Sequence, residues 1–409
     1  MSSEPYFDYM RKLLCPLLLL QAASAFAQPV ISNEIFADVT PRLSASSSPA
    51  VAMANDRHGL AIAWTMSDSD GVEHVYFARL DGTGHFAGSL HNLPIVSNEP
   101  SLAAAPGGEG FVLAFVENPP VSLAAFCVLD RDLNSSPPVV LTPSGHLLTS
   151  PPIVRSGKTT WITADTLVWQ LQADGSLRGP LNGGMNVTDM TVATDVPQLV
   201  SGHNEATTFT CRADPSCTVG GGPFRGYCYE SCRIYNYTST LQFTALYTAS
   251  SAKTFPYATQ NNPAIGSDGH DVLVAWFESA VSGGTVVATR VAPEAFTNFA
   301  SAADHRSVLG TFVAGSFPLR ADIASDGERY VVVWHALLPL RGNHIVGAAI
   351  DRSGTITPFS FESLDDERYP SVIATGHGSF LVAYEAMTGP GRRIAGRFVT
   401  FPTRSRAVR

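Results

Sequence analysis

Apolar positions along this chain come in short, nearly unbroken runs and not at helical spacing. LAIAW ends at Trp64, FVLAF at Phe115, VLVAW at Trp276, YVVVW at Trp334 and FLVAY at Tyr384. Such runs are too short for an ordinary helix, and their β-branched and aromatic content suits a strand buried on both faces. A Pro-started apolar stretch precedes most of them, as a proline tolerates a strand's first residue or an edge. Asp-Gly or another Gly turn joins the two, as at Asp268-Gly269 and Asp326-Gly327, which signals a hairpin. A third run follows after a variable loop: VYFARLD from Val75, VVATRV from Val286, IVGAAID from Ile345 and IAGRFV from Ile394. A last Gly turn, such as Ser353-Gly354, leads to a weaker fourth strand.

The pattern recurs. SDGHDVLVAW (Ser267 to Trp276) returns as SDGERYVVVW (Ser325 to Trp334). Seven copies are visible, their first strands opening with SPAVAMAND at Ser48, EPSLAAAPG at Glu99, SPPIVRSG at Ser150, VPQLVSGH at Val196, NPAIGSDG at Asn262, RADIASDG at Arg320 and YPSVIATG at Tyr369. Four antiparallel strands per repeat of about 50 residues predict a β-propeller. The expected fold is therefore all-β, with seven four-stranded blades, or six if the third or fourth copy is an insertion. Those two copies carry Ala164 and Thr210 where the others have an aromatic residue. The last copy ends near Phe401 without a fourth strand. Asn33 to Thr40 is expected to supply it and so close the ring. Trp64, Trp276 and Trp334 fit wedges between blades; stacking on a carbohydrate is the other use of such rings.

Residues 1–27 read as a secretory leader: Arg11 and Lys12, an apolar run from Leu13 to Leu20, then Ala25-Phe26-Ala27. The acids ahead of Met10 are foreign to such a leader, which makes Met10 a second candidate start. The apolar run is too short to span a bilayer. The folded part is expected to be one propeller domain over 28–403, with a tail at 404–409, in a secreted or periplasmic, monomeric protein without an integral membrane segment. The formal net charge of −9 argues against nucleic acid as a partner, because phosphate contacts need a basic face. Only Lys158 and Lys253 follow the leader.

Cysteine usage adds one local feature. Cys211, Cys217, Cys228 and Cys232 lie within 22 residues of the fourth copy. Their spacing lacks the paired C-x2-C of zinc ribbons, and an exported chain meets an oxidising compartment, so disulfides are expected ahead of a thiolate metal site. A hairpin turning at Gly220 to Gly222 favours nested pairing, Cys211 with Cys232 and Cys217 with Cys228. The alternatives are 211–217 with 228–232, and 211–228 with 217–232. Cys127, in a predicted third strand, reads as a buried small hydrophobe.

No G-x-S-x-G elbow, Walker A loop, H-E-x-x-H or dinucleotide fingerprint occurs, and no cofactor is expected. SDSDG (Ser67 to Gly71) makes Asp68 and Asp70 weak candidate calcium ligands; it is too short for an EF-hand and lacks its terminal Glu, and a solvated turn is the favoured reading. Glu117, Glu278, His335 and Glu385 sit just past the aromatic position of four copies. Acids there would gather on one face of a propeller, where two carboxylates at suitable separation hydrolyse glycosides; ordinary loop acids occupy the same places.

The repeat P-x-I-A-x-D-G-x-x-Y-x-V-x-W, clearest from Ala321 to Gly354, resembles the repeats of secreted bacterial β-propeller proteins. That resemblance implies a propeller on the cell surface or outside it and carries over no catalytic residue. The sialidase box S-x-D-x-G-x-x-W is absent, since Asp326 directly follows Ser325, and so are the Asp-rich calcium loops of integrin-type propellers. The expected role is a binding module for a glycan, a peptide or a surface protein. A polysaccharide hydrolase and a structural envelope component are the alternatives.

Overall fold

The computed structural model describes residues 28–35, 51–56, 58–67, 70–117, 123–142, 151–156, 158–164, 166–182, 189–193, 196–214, 228–245, 250–256, 263–280, 283–292, 299–313, 321–338, 342–363, 365–376, 378–388 and 391–402; between 200 and 256 the description is essentially of the backbone. The leader and the tail lie outside the described residues.

Strand β1 (Val30–Ile31) comes first. Six sheets then follow as simple meanders. They are β2 (Val51–Asp56), β3 (Gly59–Ser67), β4 (Glu73–Leu80) and β5 (Phe86–Asn92); β6 (Ser97–Ala104), β7 (Phe111–Glu117), β8 (Leu123–Leu129) and β9 (Val139–Thr142); β10 (Ile153–Ser156), β11 (Thr159–Ala164), β12 (Leu167–Gln172) and β13 (Leu177–Asn182). Next come β14 (Asp189–Ala193), β15 (Val196–Asp214), β16 (Cys228–Ala245) and β17 (Ser250–Pro256); β18 (Ala264–Ser267), β19 (Val272–Ala280), β20 (Gly283–Val291) and β21 (Ser307–Val313); β22 (Ala321–Ser325), β23 (Arg329–Leu338), β24 (Gly342–Asp351) and β25 (Ile356–Ser360). The seventh sheet is β26 (Asp366–Gly376), β27 (Ser379–Thr388) and β28 (Gly391–Thr400), with β1 as its outer strand. A short helix, Phe299–Asp304, sits between β20 and β21. No helix among the described residues is long and apolar enough to cross a membrane.

This is a β-propeller-like, all-β fold. The first strands of successive sheets neighbour one another, β2 beside β6 and so on to β22 beside β26, and β26 lies against β2. The core is interleaved accordingly. Trp334 packs with Leu273, Ala275, Val286 and Leu309 of the fifth sheet. Val331 and Val333 pack with Val382 and Tyr384 of the seventh. Trp64 and Ile62 join Leu381 and Ile394 across the chain's two ends. Every residue of Val331–Val333 is 0% exposed, as a strand sandwiched between two sheets must be. Small residues permit the close approach: a Cβ on Gly347 would run into the Phe359 ring and lie 2.7 Å from the Val332 carbonyl oxygen. Gly110 is needed twice over, with φ +78 and a neighbouring Leu129 carbonyl that any Cβ would strike.

Two expectations need correction. VPQLV at Val196 opens the second strand of the fourth sheet and not the first, which is Asp189–Ala193. Pro197 pairs with Val192 near the hairpin turn, a site as tolerant of proline as a strand's start, and the true first strand has no proline to mark it. Thr210 therefore lies far along β15, well past the part that pairs with β14. The N-terminal strand also falls earlier than Asn33–Thr40. Val30 and Ile31 pair with Thr400 and Val399, and Ile35 adds a single bridge to Gly396; residues 36–40 lie outside the described residues.

Candidate functional site

In each meander the first strand begins, and the second ends, at the same end of the sheet. Between the sixth and seventh sheets that end holds a buried polar seam. His335 follows Trp334 on β23 and is 5% exposed; His344 on β24 is 1% exposed; Glu367 on β26 and Glu385 on β27 are 0% exposed. Glu385 lies opposite Arg368 in the β26–β27 register. Of the four sequence candidates, the structure thus draws His335 and Glu385 to one seam, both within electrostatic reach of Arg368.

Arg368 is held by Asp366, with Nη2 to Oδ2 at 2.6 Å. Asp366 also accepts the Asn343 backbone N–H at 3.0 Å and its side-chain amide at 2.9 Å. Burial alone would raise the Asp366 carboxyl, but these donors outweigh it and hold it below the ordinary value. Burial, and then the Arg368 charge, push the His335 imidazole down to about 4, with Asp366 offsetting part. The ring is neutral at pH 7 and stacks edge-on against Tyr369, centroids 5.5 Å apart. Tyr369 has φ 50, in a register break between Arg368 and Ser371.

Glu367 is the residue that sequence inspection missed. It accepts the Ile345 N–H of the preceding sheet at 3.1 Å, yet burial raises its carboxyl to about 7. A signal existed: SNEPS (Ser97 to Ser101) and ERYPS (Glu367 to Ser371) are the same element. Both carry a register break before the final Ser. The Ser97 hydroxyl accepts the Val75 N–H at 3.2 Å just as Glu367 accepts that of Ile345. Where Ser97 does the latching at no electrostatic cost, the seventh sheet uses a buried acid. Beside it, Tyr384 donates to Glu34 at 3.3 Å and accepts from Arg397 at 3.0 Å. Glu34 in turn pairs with Arg393 at 2.6 Å, so the segment after β1 is tied into the seam.

The remaining candidates are elsewhere. Glu117 closes β7, half-buried and opposite Ser97 and Leu123. Glu278 on β19 pairs with Arg306 at 2.5 Å and accepts the Trp276 indole N–H at 3.2 Å. Asp70 is exposed in the turn before β4, and Asp68 lies outside the described residues. Among the described residues, no group of three or more His, Cys, Asp or Glu side chains is arranged to hold a metal ion. Cys127 is buried in β8, its thiol pushed up to about 12 by that burial, which makes it inert.

The fourth sheet supplies a second candidate. β15 and β16 pair from Gln198↔Ala245 to Asp214↔Cys228, whereas β14 covers β15 only to Val200 and β17 covers β16 only over Thr238–Thr244. Residues 206–214 and 228–237 therefore continue as a two-stranded ribbon, about 30 Å of strand beyond the sheet. By register, Ala206 pairs with Tyr237, Thr208 with Tyr235, Phe209 with Ile234 and Thr210 with Arg233. Cys211 pairs with Cys232. Cys217 lies outside the described residues, as do the cysteine side chains, and with them the disulfides themselves.

No family model and no curated protein matches the chain. Solved structures do. A protein of unknown function from Dyadobacter fermentans matches at 10% identity and TM-score 0.46, over 92% of this chain and 100% of that one. The periplasmic gluconolactonase of Pseudomonas aeruginosa matches at 13% identity and TM-score 0.43, over 88% and 90%. Hydrazine synthase of Kuenenia stuttgartiensis matches at 12% identity and TM-score 0.42, over 79% and 86%.

Proposed function

We propose that this chain is an exported, seven-bladed β-propeller, closed by its N-terminal strand, that serves as a binding module for a glycan, a peptide or a surface protein. The observation that carries the reading is the β15–β16 ribbon, which extends far past its own sheet. A two-stranded ribbon is barely stable alone in water, so its length needs a use and a staple. The use is recognition: the ribbon's two strands carry Tyr235, Tyr237, Arg212 and Arg233, residue types enriched at binding hot spots. The staple is a Cys211–Cys232 disulfide, for which the direct pairing of the two residues is the support. The leader-like pattern of residues 1–27 supports export, and the contacts between successive first strands support the ring. The hydrolase alternative loses two of its three acids, Glu385 being sealed from solvent and Glu278 committed to Arg306 and Trp276, and keeps only the half-buried Glu117.

The test is an immobilised-glycan array probed with the protein and with a variant in which residues 206–237 are replaced by Asn-Gly. The reading expects a hit for the full protein that the trimmed variant loses at an unchanged melting temperature. Equal binding by the trimmed variant overturns it. So does cleavage of the bound glycan that Glu117→Gln or Glu278→Gln abolishes.

A further inference from the structure

The small-x-small run Ala25-Phe26-Ala27 marks cleavage after Ala27. Gln28 would then be the first residue of the exported chain. The structure makes that cut harmless and a later one costly. Val30 and Ile31 of β1 pair with Thr400 and Val399, and only Gln28 and Pro29 stand between the cut and the first paired residue. Gln28 is exposed and belongs to no strand pair, so the sheet makes no use of its backbone nitrogen. It borders an apolar groove of about 480 Å³ together with Pro29, Ile31, Leu309, Pro358 and Phe359, and none of the groove's lining residues is charged. A new α-ammonium group at Gln28 would meet no carboxylate among them.

An N-terminal glutamine carries its own electrophile. The α-amino group titrates at about 8, so a share of it is the neutral nucleophile at neutral pH. The α-nitrogen bonds to Cδ of the same residue's carboxamide, the Cδ–Nε2 bond breaks, and Nε2 leaves as ammonia with the proton that the amine gives up. No oxidant, reductant or second substrate is needed. The product is a cyclic lactam that carries no charge and offers an aminopeptidase no free amine.

We infer that Gln28 is a modification site: freed by removal of the leader, it closes to pyroglutamate, an uncharged cap that protects β1 from trimming. The cap matters because β1 is short. Only two of its residues pair with β28, and Val30 is 70% exposed. Such an end frays and invites proteolysis, and each residue lost beyond Pro29 removes part of the pairing that completes the seventh sheet. The inference rests on the export reading above and is independent of the ribbon.

The test starts from the full chain, residues 1–409, produced in a bacterium with a periplasm and recovered from the periplasm or the medium. The protein is reduced and its intact mass measured before any digestion. The expected mass is that of residues 28–409 less one ammonia, with the deficit located at Gln28 by tandem spectra of the tryptic peptide 28–42. Gln28→Ala should be cut at the same place and show no deficit. Under an X-Pro aminopeptidase combined with a broad-specificity aminopeptidase, the parent should keep its mass and melting temperature. Gln28→Ala should lose residues through Ile31 and melt lower. An open Gln28 terminus, a start at another residue, a deficit that persists in Gln28→Ala, or equal survival of both proteins under the peptidases overturns the inference and leaves export standing. A chain kept whole inside the cell overturns export and the inference with it.

Discussion

The fourth and sixth sheets are built from the same four-strand unit and spend their residues in opposite directions. In the sixth, β23 and β24 are 10 residues each, and almost all of their length is pressed between neighbouring sheets. In the fourth, β15 and β16 reach 19 and 18 residues, and about half of that runs out as a ribbon with no third strand paired to it among the described residues. The sixth unit also brings buried His335 and His344 to its seam with the seventh, which contributes buried Glu367 and Glu385. The difference shows what one repeat can do: a unit locked on both faces stores stability and tolerates buried polar groups, while a unit freed from its neighbours can present a surface. The same residue change should therefore have very different effects in the two places.

The largest contrast comes from introducing a charge. Val332→Asp puts an unpaired carboxylate into a position with 0% exposure and should cost more than about 4 kcal/mol. Thr208→Asp, on the ribbon, should stay within about 0.5 kcal/mol. Urea unfolding of both variants measures this, and similar midpoints would erase the distinction between the sheets.

Next is the closure that lets the sixth and seventh sheets behave as one block. Deleting residues 28–35 removes the β1 pairing, the half-buried Ile31 and Ile35, and the Glu34 ion pairs with Arg393 and Arg397. The expected loss is about 3 to 5 kcal/mol from burial and hydrogen bonds together. Removing the ribbon should leave the melting temperature where it was. A deletion that leaves the melt unchanged would mean that β1 decorates the seventh sheet without closing anything.

The smallest effect is a matter of pH. Folded Glu367 stays protonated up to about 7, against 4.5 for the ordinary group. Its stabilising contribution is whole below 4.5 and is lost as pH rises through about 7. Glu367→Gln should match the parent near pH 4 and exceed it near pH 8 by up to about 3 kcal/mol. His335 runs the other way. Its folded value of about 4 lies below the ordinary 6.5, so its contribution is whole above 6.5 and is lost as pH falls through 4. Equal urea midpoints for Glu367→Gln and the parent at pH 8 would show that the seam is wetter than its geometry indicates.

Much of the architecture was legible in the chain. Continuous apolar runs, turn glycines and the recurrence of SDG-x-x-[YV] define strands and hairpins within about ten residues, because neighbouring positions largely decide strand propensity and turn geometry. The facing of Cys211 and Cys232 follows from a hairpin's constant index sum, and the register bears that out. The burial of Trp64, Trp276 and Trp334 was equally readable from their place closing an unbroken apolar run, although each strand continues for several residues beyond them. Only the tertiary structure decided what depends on neighbours some 50 residues away: that Asp189–Ala193 and not VPQLV begins the fourth sheet, that Glu385 and His335 are sealed while Glu278 meets Arg306, and that Glu367 latches onto Ile345. The physical reason is that a strand is encoded by its own residues, whereas desolvation, charge pairing and cavities belong to the gap between two sheets, and no single repeat encodes the face of the next.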